Sequence, residues 1–337
     1  MERTLLYYPA IFIQNQQWIR QSILYWDSIG SIIPTGMERY LAKSHDFQIL
    51  LNQGLYKIYN LENYVQTNNK VETEFEAILE NSRFIESLPN EDRYSSWIYE
   101  NKLSLELITK LINKSIVRQK DYRVYLRPVI ASLYMALLAK HMANDDVNSI
   151  TTPSTDDINF LPFAFPSVGD ENTMSVMNLS LYNVLPIPAE GTSLMNIIKF
   201  KERRKDELLQ FRQLIYSHQD KIKQLKDPSE VRDLNSRFAE QIQFEVSNLG
   251  KALKSDDIHF FFGTLRNILA IETPAMIVAY GMQFPDPIKF KMAIAGAVVS
   301  GAISLGEYFL SAQNKENEQL AKNSFTYLLQ AKEEGII

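Results

Sequence analysis

Aromatic and branched apolar residues dominate residues 5–13, the mark of a strand. Asn15 follows, and Trp18, Ile19, Ile23 and Trp26 then recur at helical spacing, which predicts an N-capped helix. A second apolar run, residues 29–33, stops at Pro34. Strand, helix and strand within about thirty residues is the size of a βαβ unit, and it puts the Pro34-Thr35-Gly36 turn at a carboxyl end, where α/β proteins often hold ligands. Gly54 reads as a helix C-cap and residues 55–59 as a third strand. From 71 to 144 the pattern turns helical, most strongly over 123–142, with a kink expected at Pro128.

Residues 146–173 are rich in Ser, Thr, Asp, Pro and Gly and read as a linker or long surface loop, with a further strand over 176–184. Thr192 or Ser193 then starts the longest predicted helix, on which Leu208, Phe211, Ile215, His218, Ile222 and Leu225 form a heptad seam. Asp227-Pro228-Ser229-Glu230 supplies an N-cap, a first-turn proline and a capping Glu for a second helix. The apolar stripe of that helix is Val231, Leu234, Phe238, Ile242, Val246, Leu249 and Leu253, so the two helices are expected to close as an antiparallel hairpin. Residues 273–284 and 292–306 carry no charge, and in the second stretch Gly296, Ser300 and Ser304, and likewise Ala293, Ala297 and Gly301, form small-residue rows that permit close helix approach. Fifteen helical residues reach about 22 Å, short of the roughly 30 Å hydrocarbon core, so 292–306 is expected as a buried helix and not a standing membrane span.

The expected fold class is α+β and predominantly helical: a small N-terminal α/β unit, then a long antiparallel helical hairpin and buried apolar C-terminal helices. The expected boundaries are 1–145 for the α/β-to-helical region, 146–191 for the linker and strand, and 192–337 for the hairpin and C-terminal helices.

Composition narrows the function classes. The chain has 337 residues, 45% of them hydrophobic, and no cysteine, which removes disulfides, thiolate metal sites and cysteine nucleophiles and suits a cytoplasmic address. Met1-Glu2-Arg3-Thr4 leads into an apolar stretch that lacks the layout of a secretion signal. The net charge of −5 argues against a basic coat over the whole protein, yet residues 199–226 hold nine Lys and Arg against four Asp and Glu. Lys199, Lys201, Arg203, Arg204 and Lys205 form the sharpest cluster and are the candidate polyanion-binding residues; the alternative is a helix surface paired with acidic groups of the same chain.

No catalytic residue, metal site or cofactor is assigned. The glycines are too scattered for either common nucleotide fingerprint. Glu100-Asn101-Lys102 has the spacing of a nuclease ExK motif but reads as a helix start. Ala302-Ile303-Ser304-Leu305-Gly306 resembles a nucleophile elbow but has no histidine after it, since His259 is the last of the four. His45, His141, His218 and His259 are not spaced as ligands, and the pairs His141 with Asp145 and Asp256-Asp257 with His259 are what helix termini produce. Glu72, Glu76 and Glu80 form an acidic stripe read as a solvated helix face.

Tyr7-Tyr8-Pro9, Trp18-Ile19, Leu24-Tyr25-Trp26-Asp27 and Ile32-Ile33-Pro34, with the late stretch from Ser324 to Lys332 followed by Glu334-Gly335, resemble a family of uncharacterised bacterial proteins classed as a domain of unknown function. The resemblance implies a bacterial or phage-related origin and brings no site residues. Three functions stay open. The favoured one is a non-enzymatic helical interaction or effector protein, of a phage-defence or toxin-like system, that acts on a protein partner or as a homo-oligomer. An enzyme with polar groups near Asp27, Thr35, Glu38 and Arg39 is the second, and a nucleic-acid binder using residues 199–205 is the third.

Overall fold

β1 (Glu2–Tyr7) leads into α1 (Gln16–Tyr25), and α1 returns the chain to β2 (Ser28–Ile33), parallel to β1. Asn15 is the cap the sequence predicts: its side-chain oxygen accepts from the Trp18 N–H at 3.0 Å. A 3₁₀ turn (Glu38–Lys43) and α2 (His45–Asn52) then carry the chain to β3 (Tyr56–Asn60), with Gly54 at φ +67° ending α2. The computed structural model describes residues 1–8, 10–61, 64, 69–80, 94–156, 185–223, 237 and 324–337. They fall into two units, Met1–Ser22 with Trp26–Pro166, and Ile23–Tyr25 with Ser167–Ile337.

In the first unit β7 (Ser149–Ser154) joins the free side of β1, which gives a four-stranded parallel sheet in the order β3-β2-β1-β7. Both faces are covered, as parallel sheets require. On one face Tyr7 meets Trp18 of α1 edge-on at 5.0 Å, and Tyr56 meets Phe47 of α2 at 5.2 Å. On the other, Leu6, Tyr8 and Ile32 join a core with α3 (Lys70–Leu79), α4 (Leu105–Asn113) and α5 (Pro128–Asn144). α5 is buried on nearly all sides, and each fully buried Leu or Ile there stabilises by about 2 kcal/mol.

A second sheet is antiparallel: β4 (Ser96–Tyr99), β5 (Arg118–Lys120) and β6 (Arg123–Leu126), in the order β4-β6-β5. These strands correct the helical reading of 71–144. Pro128 does not kink a helix; it opens one, as the first residue of α5, where a missing N–H costs nothing. Ser149–Ser154, read as part of a linker, is an edge strand, a position that tolerates Pro153.

In the second unit Ser193 caps α6 (Leu194–Arg203), with its hydroxyl accepting from the Asn196 N–H at 3.1 Å. The chain breaks at Arg204 and resumes as α7 (Lys205–Lys223), so the longest predicted helix is two helices. The C-terminal helix is α8 (Thr326–Glu333).

The expected fold class is therefore corrected. The α/β part is not small: it holds two sheets and extends to Ser154. Among the described residues there is no long helical hairpin; α7 packs instead beside α8. Leu208, Phe211 and Leu214 are buried, and Phe211 lies 6.0 Å from Phe325, just before α8, and 6.3 Å from Tyr25. The second hairpin helix from Asp227 onward, the strand at 176–184 and the apolar stretch 292–306 lie outside the described residues. Among the described residues no helix is long and apolar enough to cross a membrane.

Candidate functional site

Strand order reverses beside β1. From β1 the chain moves to β2 and β3 on one side, and later returns to lay β7 on the other. In open parallel sheets ligands bind outside the carboxyl ends of the strands at such a reversal.

Tyr7 and Ser154 are register partners at the last ladder position of β1 and β7, so both side chains project from the face that carries α1. Asp156, two residues beyond Ser154, accepts a 2.9 Å hydrogen bond from the Tyr7 hydroxyl at Oδ1. Asp156 is exposed, and its carboxylate has acceptor sites beyond the one Tyr7 uses. The Ser154 hydroxyl is buried and has no hydrogen-bond partner among the described residues. Neither does Oε1 of Gln16, at the start of α1 on the same edge. Unsatisfied buried polar atoms are uncommon, and the Ser154 hydroxyl, two residues before the exposed Asp156 carboxylate, suits a site built to receive polar groups.

The neighbouring loops are held in place. The Ser31 hydroxyl donates to the Ile11 carbonyl at 2.8 Å, which ties the loop after β1 to β2. Beyond β2, the Met37 N–H donates to Pro34 O at 3.1 Å, with Gly36 at φ +83° in the turn, and Asn60 Nδ2 donates to Thr35 Oγ1 at 3.0 Å. Arg39 and Lys43 both sit on the Tyr40 ring, at 5.2 and 4.7 Å from its centroid.

The four polar residues expected around one pocket do not meet. Thr35, Glu38 and Arg39 follow the carboxyl end of β2, whereas Asp27 precedes its amino end, where its carboxylate accepts from the Arg3 N–H at 2.8 Å. A six-residue strand, about 20 Å, separates them. The Tyr7, Ser154 and Asp156 group was missed, because its members come from opposite ends of the α/β unit.

Other constellations serve structure. Glu74 of α3 accepts from His141 Nε2 at 2.7 Å and from Lys140 Nζ at 3.1 Å on α5; the His141 hydrogen bond, with the Lys140 charge, holds its carboxyl below the usual range. Glu72, Glu76 and Glu80 are not merely a solvated face: all three are paired, although Glu80 stays exposed. Glu72 accepts from the Ser104 N–H and hydroxyl at 2.7 and 2.6 Å, while Glu76 and Glu80 pair with Lys110 and Lys114 at 3.1 and 3.4 Å, joining α3 to α4 and the residue just after it. Glu100 and Lys102 diverge: Glu100 accepts from Gln119 Nε2 at 2.7 Å, while the buried Lys102 Nζ lies 3.6 Å from Met135 Sδ. Asp146, before β7, accepts from Tyr59, Ser149 and Thr151 at 2.8, 2.6 and 2.6 Å and from the Asn148 N–H at 3.0 Å. Partial burial pushes its pKa up, but those hydrogen bonds outweigh it and bring the value down to about 2.

Of the basic cluster, Lys201 Nζ donates to the Ile23 carbonyl at 3.0 Å, and Arg203 and Arg204 pair with Glu334 at 2.5 and 3.0 Å. Lys199 and Lys205 are exposed. Among the described residues no group of three or more His, Asp or Glu side chains could hold a metal ion.

No curated protein and no solved structure matches the chain. A family match covers residues 124–334; it takes in Ser154, Asp156 and most of the late stretch from Ser324, while Tyr7 and the rest of the opening lie before it. With well over half its length inside that match, the chain belongs to a family of unknown function, DUF6236.

Proposed function

We propose that the first unit is a ligand-binding domain that takes a small polar molecule bearing hydroxyl or amino groups at the carboxyl edge of β1 and β7. The observation that carries this reading is the convergence of Tyr7, Ser154 and Asp156 at the reversal of strand order. The edge offers acceptors, a carboxylate and a serine hydroxyl, and so suits a ligand that donates hydrogen bonds. A phosphate is disfavoured, because no glycine-rich cradle follows β1 and the group that converges there is a carboxylate and two hydroxyls.

The effector reading rests on a helical hairpin that the described residues do not contain and on the apolar segment 292–306, which lies outside them, so the α/β unit takes precedence. The cysteine-free composition supports a cytoplasmic address, the family resemblance a bacterial setting, and a protein partner or second copy of the chain is proposed alongside them. The test is the melting temperature of the full chain with millimolar nucleosides, monosaccharides or polyamines, compared between wild type and Asp156→Asn. At least one class should raise the wild-type value and leave the variant unmoved. No shift with any class counts against the reading.

A further inference from the structure

The antiparallel sheet turns Ile98, Val124 and Leu126 inward and leaves an outer face on which Tyr99 and Tyr125 are half-buried and the other residues exposed. Pairing puts the alternate residues on the outer face in two cross-strand rows: Trp97, Tyr125 and Arg118, then Tyr99, Arg123 and Lys120. Three aromatic rings and three cations thus share one three-stranded surface. Trp97 is 38% exposed, Arg118, Lys120 and Arg123 are exposed, and Tyr122 in the β5–β6 turn is 76% exposed.

The groups are set against one another. The Arg123 guanidinium lies 4.2 Å from the Trp97 ring centroid, and Trp97 meets Tyr99 edge-on at 4.8 Å. Arg118 lies 4.2 Å over Tyr94, just before β4. A guanidinium on a ring is itself a flat surface on which a further planar group can stack, and its N–H groups remain available to a phosphate. No carboxylate lies in either row. Glu100, at the end of β4, accepts from Gln119, and Asp121 sits in the turn.

We infer that this outer face binds single-stranded nucleic acid, with unpaired bases stacked on Trp97, Tyr99 and Tyr125 and the phosphates neutralised by Arg118, Lys120 and Arg123. Stacking on aromatic rings with cations alongside is how single strands are held without sequence preference. A duplex keeps its bases stacked on each other and offers this face only phosphates. An acidic peptide would use the cations and leave the rings idle. The surface lies on other residues than the carboxyl-edge site and stands without it. It also differs from the basic cluster at residues 199–205, where three of five cations are engaged within their own unit.

The test is fluorescence anisotropy of the full chain with labelled twelve-nucleotide oligouridylate and oligothymidylate, a duplex of the same length, and polyglutamate as competitor. The single strands should bind, more tightly than the duplex, with affinity falling as salt rises. Trp97→Ala should weaken binding about tenfold or more, and Trp97→Phe should recover most of it. Arg118→Gln with Lys120→Gln should flatten the salt dependence, whereas Lys199→Gln with Lys205→Gln should change nothing. All substituted side chains point away from the core, and unchanged melting temperatures will confirm intact folding. Trp18 and Trp26 are buried, so quenching of tryptophan fluorescence by the oligonucleotide should disappear in Trp97→Ala. The inference is overturned by absence of single-strand binding, by equal binding of the duplex, by equal competition from polyglutamate, or by loss of binding in the Lys199/Lys205 variant with retention in Trp97→Ala.

Discussion

Tyr7 and Asp156, 149 residues apart in the chain, share a 2.9 Å hydrogen bond because β1 pairs with β7 and Asp156 follows the end of β7 by two residues. The bond closes the carboxyl edge of the sheet where its order reverses. Packing within each unit has consequences that can be measured.

Gly30 is the first. A Cβ there would sit 2.5 Å from the Lys57 carbonyl oxygen and 2.8 Å from the Tyr59 ring, which crosses β2 to reach Asp146 and Thr151. The carbonyl is backbone and cannot step aside. Gly30→Ala should destabilise by about 3 kcal/mol, read from urea denaturation. A change under about 0.5 kcal/mol would mean the sheet opens to accept it.

Asp146 sets an acid limit. Its folded-state pKa of about 2 lies below the ordinary carboxyl value, so its contribution is present above roughly pH 4 and is lost as pH falls toward 2. With solvent screening of a partly exposed group allowed for, that contribution is about 1 kcal/mol. Asp146→Asn should lower stability at pH 7 and lessen its dependence on pH between 4 and 2; parallel curves for the two proteins would refute the assignment.

Lys102 is a buried cation whose Nζ has only the Met135 sulfur near it among its described hydrogen-bond contacts, and burial lowers its pKa to about 8. The unfolded chain holds this proton up to a higher pH, so stability should rise as pH goes from about 8 to 10. Lys102→Met, with a similar shape and no charge, should stabilise at pH 7 by about 2 kcal/mol and abolish that rise. A less stable variant would show that the ammonium has a role in the folded protein.

Phe211 distinguishes the observed packing from the expected hairpin. It lies between Tyr25 and Phe325, so Phe211→Ala should cost about 3 to 5 kcal/mol, and Phe325→Ala should be non-additive with it because the rings touch the same space. Strict additivity would contradict that contact.

The opening of the fold was legible in sequence because its signals are local: Asn15 before a periodic run, Pro34 after a short apolar run, and Gly54 where a left-handed residue must end α2. The stretch over 123–142 was misread because a four-residue strand running into a helix keeps the apolar density of one long helix; only the reassignment of Pro128 from kink to first turn divides them. β7 escaped because Ser, Thr and Pro look like a loop, yet an edge strand tolerates all three. The site itself could not be read, since Tyr7 lies on the first strand and Ser154 on the last of one sheet, and no spacing rule connects them.

The measurement that bears most directly on the carboxyl-edge site is calorimetric titration of the compound giving the largest thermal shift into wild type, Asp156→Asn, Tyr7→Phe and, as a distant control, Glu334→Gln. Losing one ligand hydrogen bond, or the residue that orients it, should weaken binding about tenfold, which corresponds to about 1.4 kcal/mol. Weaker binding by Asp156→Asn and Tyr7→Phe, with wild-type affinity in Glu334→Gln, is the predicted result. Equal affinity in all four proteins would contradict a site at Tyr7 and Asp156.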